Sequence, residues 1–314
     1  MPSSSPLPVV SCVAALVAAV AAGCGGYLVR GSTGVPAALW ACLAAAAVAA
    51  EMAARGAGWL VDPAAIASAR LAGVALSLCP TMALLGAKRP QHGVWQFIVA
   101  SLACVLTLPA VSAALVRPGS LPDVHPLQRW FMPLLVAVGW MNFAATRHGL
   151  AAALVAVGQM LLLAGFLPWR EVAVAGADVL DAAAATTVAA GGVLAAVQSA
   201  AWPAGGRGRA RQAAGGDDRG AAVAEEITRP FLALRETLGA AWTLRIVERF
   251  NTVAETRGWP CRLSFAGFDA GGAGDDDAWH HEAPRAARAL LRRFATDDWL
   301  RRHGPAPRRS AAAG

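Results

Sequence analysis

The sequence predicts an all-α polytopic membrane bundle of about seven transmembrane helices, followed by a small, mainly helical α+β tail on the cytoplasmic side. Three observations predict it. Charged residues make up 15% of the 314 and the mean hydropathy is +0.48, whereas a soluble globular chain carries about 25% charged residues. The charges are unevenly spread, sparse before about residue 202 and frequent after it. The apolar part divides into runs near the ~20 residues that a helix needs to cross about 30 Å of hydrocarbon. The chain therefore reads as a membrane region and then a polar tail.

The expected spans are about 8–29, 35–54, 64–87, 94–116, 130–147, 149–169 and 172–201. In the first, Val20-Ala21-Ala22-Gly23-Cys24 resembles a lipobox, but no Lys or Arg precedes the apolar run as a signal peptide's n-region requires, so an uncleaved helix is expected. Glu51 lies about one turn before the end of the second span. Asp62-Pro63 reads as an N-cap with proline at the first helical position, so the third helix starts at Pro63 and Arg70 lies two turns in. Pro80 is expected to kink that helix and free a carbonyl for neighbouring helices to satisfy. Lys88 and Arg89 end it, where cations suit the helix dipole and an anionic lipid surface. Pro90 stops it, and Trp95 anchors the next span at the interface. Gly86-Ala87-Lys88 is no phosphate loop, lacking the upstream glycine and the downstream Ser or Thr. A tight Arg147-His148-Gly149 turn joins the fifth and sixth spans, in which Asn142 and Gln159 read as interhelical hydrogen-bonding groups. Richness in Ala, Gly and Ser suits close packing throughout.

Positive charge sets the expected orientation. Arg207, Arg209 and Arg211 follow the last span, which puts the C-terminus in the cytoplasm and, with seven spans, the N-terminus outside. Lys88 and Arg89 then belong to the same cytoplasmic set. The expected location is the inner membrane of a bacterium.

Ionisable residues at membrane depth are costly and so mark candidate sites. Glu51, Arg70, Asp178 and Asp181 qualify, and span parity puts all four in one leaflet. Asp178 and Asp181, spaced i, i+3, share a helix face. Two readings stand. The four form a proton or cation site opening to the non-cytoplasmic face, or they are structural glue near the interface, with Glu51 and Arg55 an i, i+4 pair that snorkels.

In the tail, residues 203–220 read as a flexible linker, 221–303 as a helical module and 304–314 as a disordered end. A helix is expected from Pro230 to about Arg257, with Phe231, Leu234, Leu238, Trp242, Ile246 and Phe250 on one apolar face that would meet a partner. Gly258 caps it, and Cys261 to Phe265 alternates like a strand. A second helix is expected from Pro284 and a short last one after Thr296. Asp275, Asp276, Asp277, His280, His281 and Glu282 lack the DxDxDG spacing of a calcium loop and read as a solvated loop, so no metal is expected.

No other cofactor is expected. His92, His125 and His148 lie in loops or at helix ends, whereas haem wants histidines facing one another inside a bundle. The six cysteines are scattered without metal-ligand or disulfide spacing and read as small buried hydrophobes. The net charge of +7 is almost all arginine, without aromatic interleaving, so nucleic acid is not an expected partner.

The stretches LLGAKRPQHGVWQFIV and GWPCRLSFAGF resemble segments of uncharacterised bacterial multi-pass membrane proteins. The resemblance covers about half the chain and implies no activity. The expected function is a non-catalytic membrane component whose tail mediates interaction or assembly, with a second copy or a membrane-complex partner. The alternative is a small ion-coupled transporter using the acidic cluster. A membrane enzyme ranks last, because intramembrane chemistry wants polar residues converging on a cavity.

Overall fold

The computed structural model describes residues 7–87, 92–167, 177–201, 218–271 and 278–305. The chain divides into two compact units, the first comprising residues 1–30 and 34–200 and the second residues 31–33 and 201–314.

Among the described residues the first unit consists of seven α-helices: α1 (Leu7–Leu28), α2 (Val35–Gly56), α3 (Pro63–Leu85), α4 (His92–Leu115), α5 (Pro126–Ala144), α6 (Gly149–Leu163, with a 3₁₀ turn Ala164–Phe166) and α7 (Ala177–Ala200). Six of them are long and apolar enough to cross a membrane. The exception is α5, whose 19 residues include Gln128, Arg129 and Asn142.

Local chemistry explains the boundaries. Asp62 caps α3, accepting from the Ala65 amide at 3.0 Å, with Pro63 following. His125 caps α5 ahead of Pro126, earlier than the expected start at residue 130. The α5–α6 turn needs glycine at 149, where a Cβ would lie 2.6 Å from the Ala144 carbonyl oxygen. Pro80 leaves the α3 ladder short of a donor, and in the same stretch Gln159 Nε2 of α6 donates to the Ser77 carbonyl at 2.7 Å. Trp95 has a role in the fold that its place near a helix start does not announce. Its indole Nε1 donates to the Met82 carbonyl at 2.7 Å and so closes the C-terminal end of α3.

The core gathers Leu71, Val74 and Leu78 of α3 with Leu106, Met132, Leu163 and Leu167. Outward-facing Val9, Leu39, Phe97, Leu108, Val157 and Val197 are exposed. Apolar surface spread over many helices is not tolerated by water, and it suits lipid. The cysteines divide between these settings. Cys79 is buried as expected, whereas Cys24 and Cys104 face outward, as small apolar side chains can on a lipid-facing surface.

The second unit comprises α8 (Asp218–Leu238), α9 (Ala240–Arg257), the antiparallel hairpin β1 (Arg262–Ser264) and β2 (Gly267–Asp269), α10 (Trp279–Leu291) and α11 (Asp297–His303). A two-stranded hairpin is marginal by itself. Here Asn251 clamps β1, donating to the Leu263 carbonyl at 2.9 Å and accepting from the Leu263 amide at 2.8 Å. On the other strand, the Phe268 amide donates to Thr228 Oγ1 at 3.0 Å.

Three tail expectations need correction. The single helix from Pro230 is two helices, broken at Gly239, whose φ of +81° only glycine adopts readily. Pro230 and Pro284 lie inside α8 and α10 instead of opening them. The lone strand has a partner. The expected linker lies outside the described residues up to 217, but its last three residues, 218–220, belong to α8; the expected disordered end lies outside them from residue 306.

Residues 31–33 complete this unit. The Thr33 amide donates to the Phe294 carbonyl and the Thr296 amide to the Gly31 carbonyl, each at 2.8 Å, so Ser32 faces Ala295 in an antiparallel bridge.

Two chemical consequences are testable. Cys261 is buried, which pushes its thiol up to about 11. Because the thiolate is the reactive form, maleimide at pH 7.5 is expected to modify Cys261 only after denaturation, as peptide mass spectrometry would show. Burial holds the His303 imidazole below its ordinary value, and its ring stacks on Trp299 at 4.0 Å between centroids. The unfolded chain then takes up that proton first as pH falls, so the second unit should lose stability below about pH 6.5. Denaturant titrations monitored by tryptophan fluorescence at pH 7.5 and 5.5 should show the loss, and His303→Gln should shrink it.

Candidate functional site

The site forms where the end of α2 meets the starts of α3 and α7. Helical spacing does the positioning. Arg55 is one turn beyond Glu51 on α2, Arg70 is two turns into α3, and Asp178 and Asp181 share a face of α7. The structure brings Glu51, Arg70, Asp178 and Asp181 into one ion-paired network, and adds Arg55.

Asp181 is its centre. Arg70 engages it as a fork, Nη1 on Oδ1 and Nη2 on Oδ2, the latter at 2.8 Å. The same Nη2 reaches Glu51 Oε1 at 3.0 Å and Oε2 at 3.2 Å. Arg55 Nη1 donates to Asp181 Oδ2 at 2.6 Å and to Glu51 Oε1 at 3.4 Å, and its Nη2 donates to Asp178 Oδ1 at 2.9 Å.

Burial is graded across the network. The side chains of Glu51 and Asp181 are 3% and 7% exposed, those of Arg70 and Arg55 16% and 23%, and that of Asp178 55%. By formal count, three carboxylates against two guanidinium groups leave one negative charge in excess, and Asp178 is the most exposed of the five groups. Beside the network, Pro8, Ser11, Met52, Arg55, Gly56, Asp178 and Asp181 line a cleft of about 90 Å³. That holds a few waters or a small ion, whereas solute pockets run to about 300–1,000 Å³.

Taking Arg55 as only the i, i+4 partner of Glu51 missed its bonds to both aspartates. The signal lay in its position one turn from Glu51, at a depth that the same parity argument covers.

The other sequence-predicted residues fall elsewhere. Phe231, Leu234, Leu238, Trp242, Ile246 and Phe250 are no more than 8% exposed and form the second unit's own core. Trp242 meets Phe294 with ring centroids 5.0 Å apart, and Phe250 meets Phe268 edge-on at 5.9 Å. The face read from periodicity as one for a partner is thus covered by the unit's own hairpin and helices. Lys88, Arg89, Pro90, Arg207, Arg209 and Arg211 lie outside the described residues, as do Asp275, Asp276 and Asp277. Glu282 accepts from Arg257 Nη1 at 2.7 Å, and His280 stacks on Trp279.

No protein-family model, curated protein or solved structure matches the chain.

Proposed function

We propose that the protein is a non-catalytic, multi-pass component of the bacterial inner membrane, with its N-terminus outside and its folded C-terminal unit acting in the cytoplasm as an interaction or assembly module. The observation that carries this reading is the second unit's own core, built from Phe231, Leu234, Trp242, Phe250, Phe268 and Trp279. A tail that buries this much apolar surface is a domain rather than an extension of a span. The charge network is read as a lock on three helix ends, since each carboxylate already meets an arginine.

In the same reading α5 crosses the membrane as well. The network joins the start of α3 to the start of α7, so both starts share one side. Between them the chain must make an even number of passages. Helices α3, α4 and α6 alone would make three, and α5 supplies the fourth.

The second reading, an ion-coupled transporter, is favoured by the excess negative charge and the cleft beside Asp178 and Asp181. One experiment separates the two. The full chain in mild detergent should hold a stoichiometric partner or a second copy that is lost on deleting 221–303, with no proton flux in liposomes. A monomer that moves protons, and stops when Asp178 and Asp181 become asparagine, sinks the first reading.

A further inference from the structure

We infer that the α1–α2 connection is a releasable clasp of the C-terminal unit, with Gly31–Thr33 adding a short strand beside Phe294–Thr296. Three observations carry it, independently of the functional reading above. The pairing is reciprocal, with two backbone hydrogen bonds of 2.8 Å flanking Ser32 and Ala295, so it has the geometry of antiparallel strands instead of a chance contact. Ser32, Thr33 and Ala295 are 6%, 5% and 1% exposed, so the strand is seated in the unit.

Its seat also demands a particular residue. Gly31 holds φ at +90°, and a Cβ there would meet Thr296 Oγ1 at 2.8 Å and Trp299 Cβ at 3.2 Å. Other residues could neither adopt that backbone cheaply nor fit that space.

The clasp is weakly closed for something so buried. It is a single bridge, not a ladder, and the Thr33 hydroxyl is buried without a hydrogen-bond partner among the described residues. An unsatisfied buried hydroxyl opposes closure, whereas a valine of the same shape would not. Single substitutions at Gly31 and Thr33 should therefore shift closure in opposite directions.

Hydrogen exchange of the full chain in detergent, followed at the Thr33 and Thr296 amides, tests the clasp. Both should be protected. Gly31→Ala should speed exchange at both by about tenfold or more, as losing these bonds predicts, while the Leu263 and Phe268 amides keep theirs. Thr33→Val should slow exchange at both sites. Independently, Ser32→Cys with Ala295→Cys should form a disulfide under copper–phenanthroline, seen as a linked peptide by mass spectrometry, since such facing pairs have suitable Cα spacing. Unchanged exchange in Gly31→Ala, opposite responses of Thr33 and Thr296, or absence of the linked peptide would overturn the clasp. Loss of Leu263 and Phe268 protection together with the clasp amides would also overturn it, because the strand would then be an obligatory part of the core.

Discussion

Replacing Arg70 with methionine is expected to destabilise the helical unit by about 3 kcal/mol, the lower end of the cost of leaving buried charges unpaired. Arg70 holds both the fork to Asp181 and the bonds to Glu51, whose side chains are 7% and 3% exposed. Arg55 remains and offsets part of the loss, which is why the lower end applies. Thermal unfolding in detergent measures the change. Neutralising the partners in the same chain, with Glu51→Gln and Asp181→Asn beside Arg70→Met, should recover most of the stability, because a buried ion pair is costly mainly when half of it is removed. A loss below about 1 kcal/mol in the single variant would mean that the network behaves as an exposed ion pair.

The α6–α7 interface predicts an effect of similar size from smaller changes. A Cβ on Gly158 would lie 2.8 Å from the Ala184 carbonyl oxygen and 2.5 Å from Val188 Cγ2, and one on Gly191 would lie 2.7 Å from the Ala151 carbonyl oxygen. These glycines let two backbones approach closely, as small residues do between membrane helices. Gly158→Ala and Gly191→Ala should each cost about 1–3 kcal/mol through overpacking, even though alanine is the better helix former. The double variant should cost less than the sum, since helices forced apart by one methyl make room for the other. Gly23→Ala gives the opposite sign. Nothing lies within 4 Å of a Cβ there, so the substitution should be neutral or stabilise by up to about 1 kcal/mol. Unfolding midpoints of the four variants in one detergent decide it.

The sequence was most legible where one physical rule acts alone. Hydrophobic length located the helices of the first unit, most of them to within a few residues, and Asp62-Pro63 marked the start of α3 because capping is local. Parity grouped Glu51, Arg70, Asp178 and Asp181 at one end of the helices, where the structure brings them together. Long-range geometry was less legible. Which acids Arg55 meets depends on how α2 packs near α7, and no local pattern encodes that.

In the tail, apolar spacing of three and four runs straight through Gly239, so periodicity concealed the break. β2 was missed because Gly267 is a poor strand former and its pairing rests on Thr228, far away in sequence. The same periodicity showed that Phe231 to Phe250 form one apolar stripe but could not say what covers it. Covering came from β2, which local reading had left unassigned, and from α10 and α11, two expected helices whose packing partners local reading could not name. The clasp at Gly31–Thr33 left no sequence signal beyond a glycine in a short connection.

Impermeant-reagent labelling of single cysteines in intact cells, in a cysteine-free background, tests the central architectural claim most directly. Val61→Cys lies in the exposed α2–α3 connection, and Thr256→Cys on the exposed face of α9. The account predicts that the thiol introduced at position 61 is labelled in intact cells, and the one at position 256 only after permeabilisation. Labelling of both from the same side would contradict it, because α5 would then not cross and the cytoplasmic place proposed for the second unit would fall.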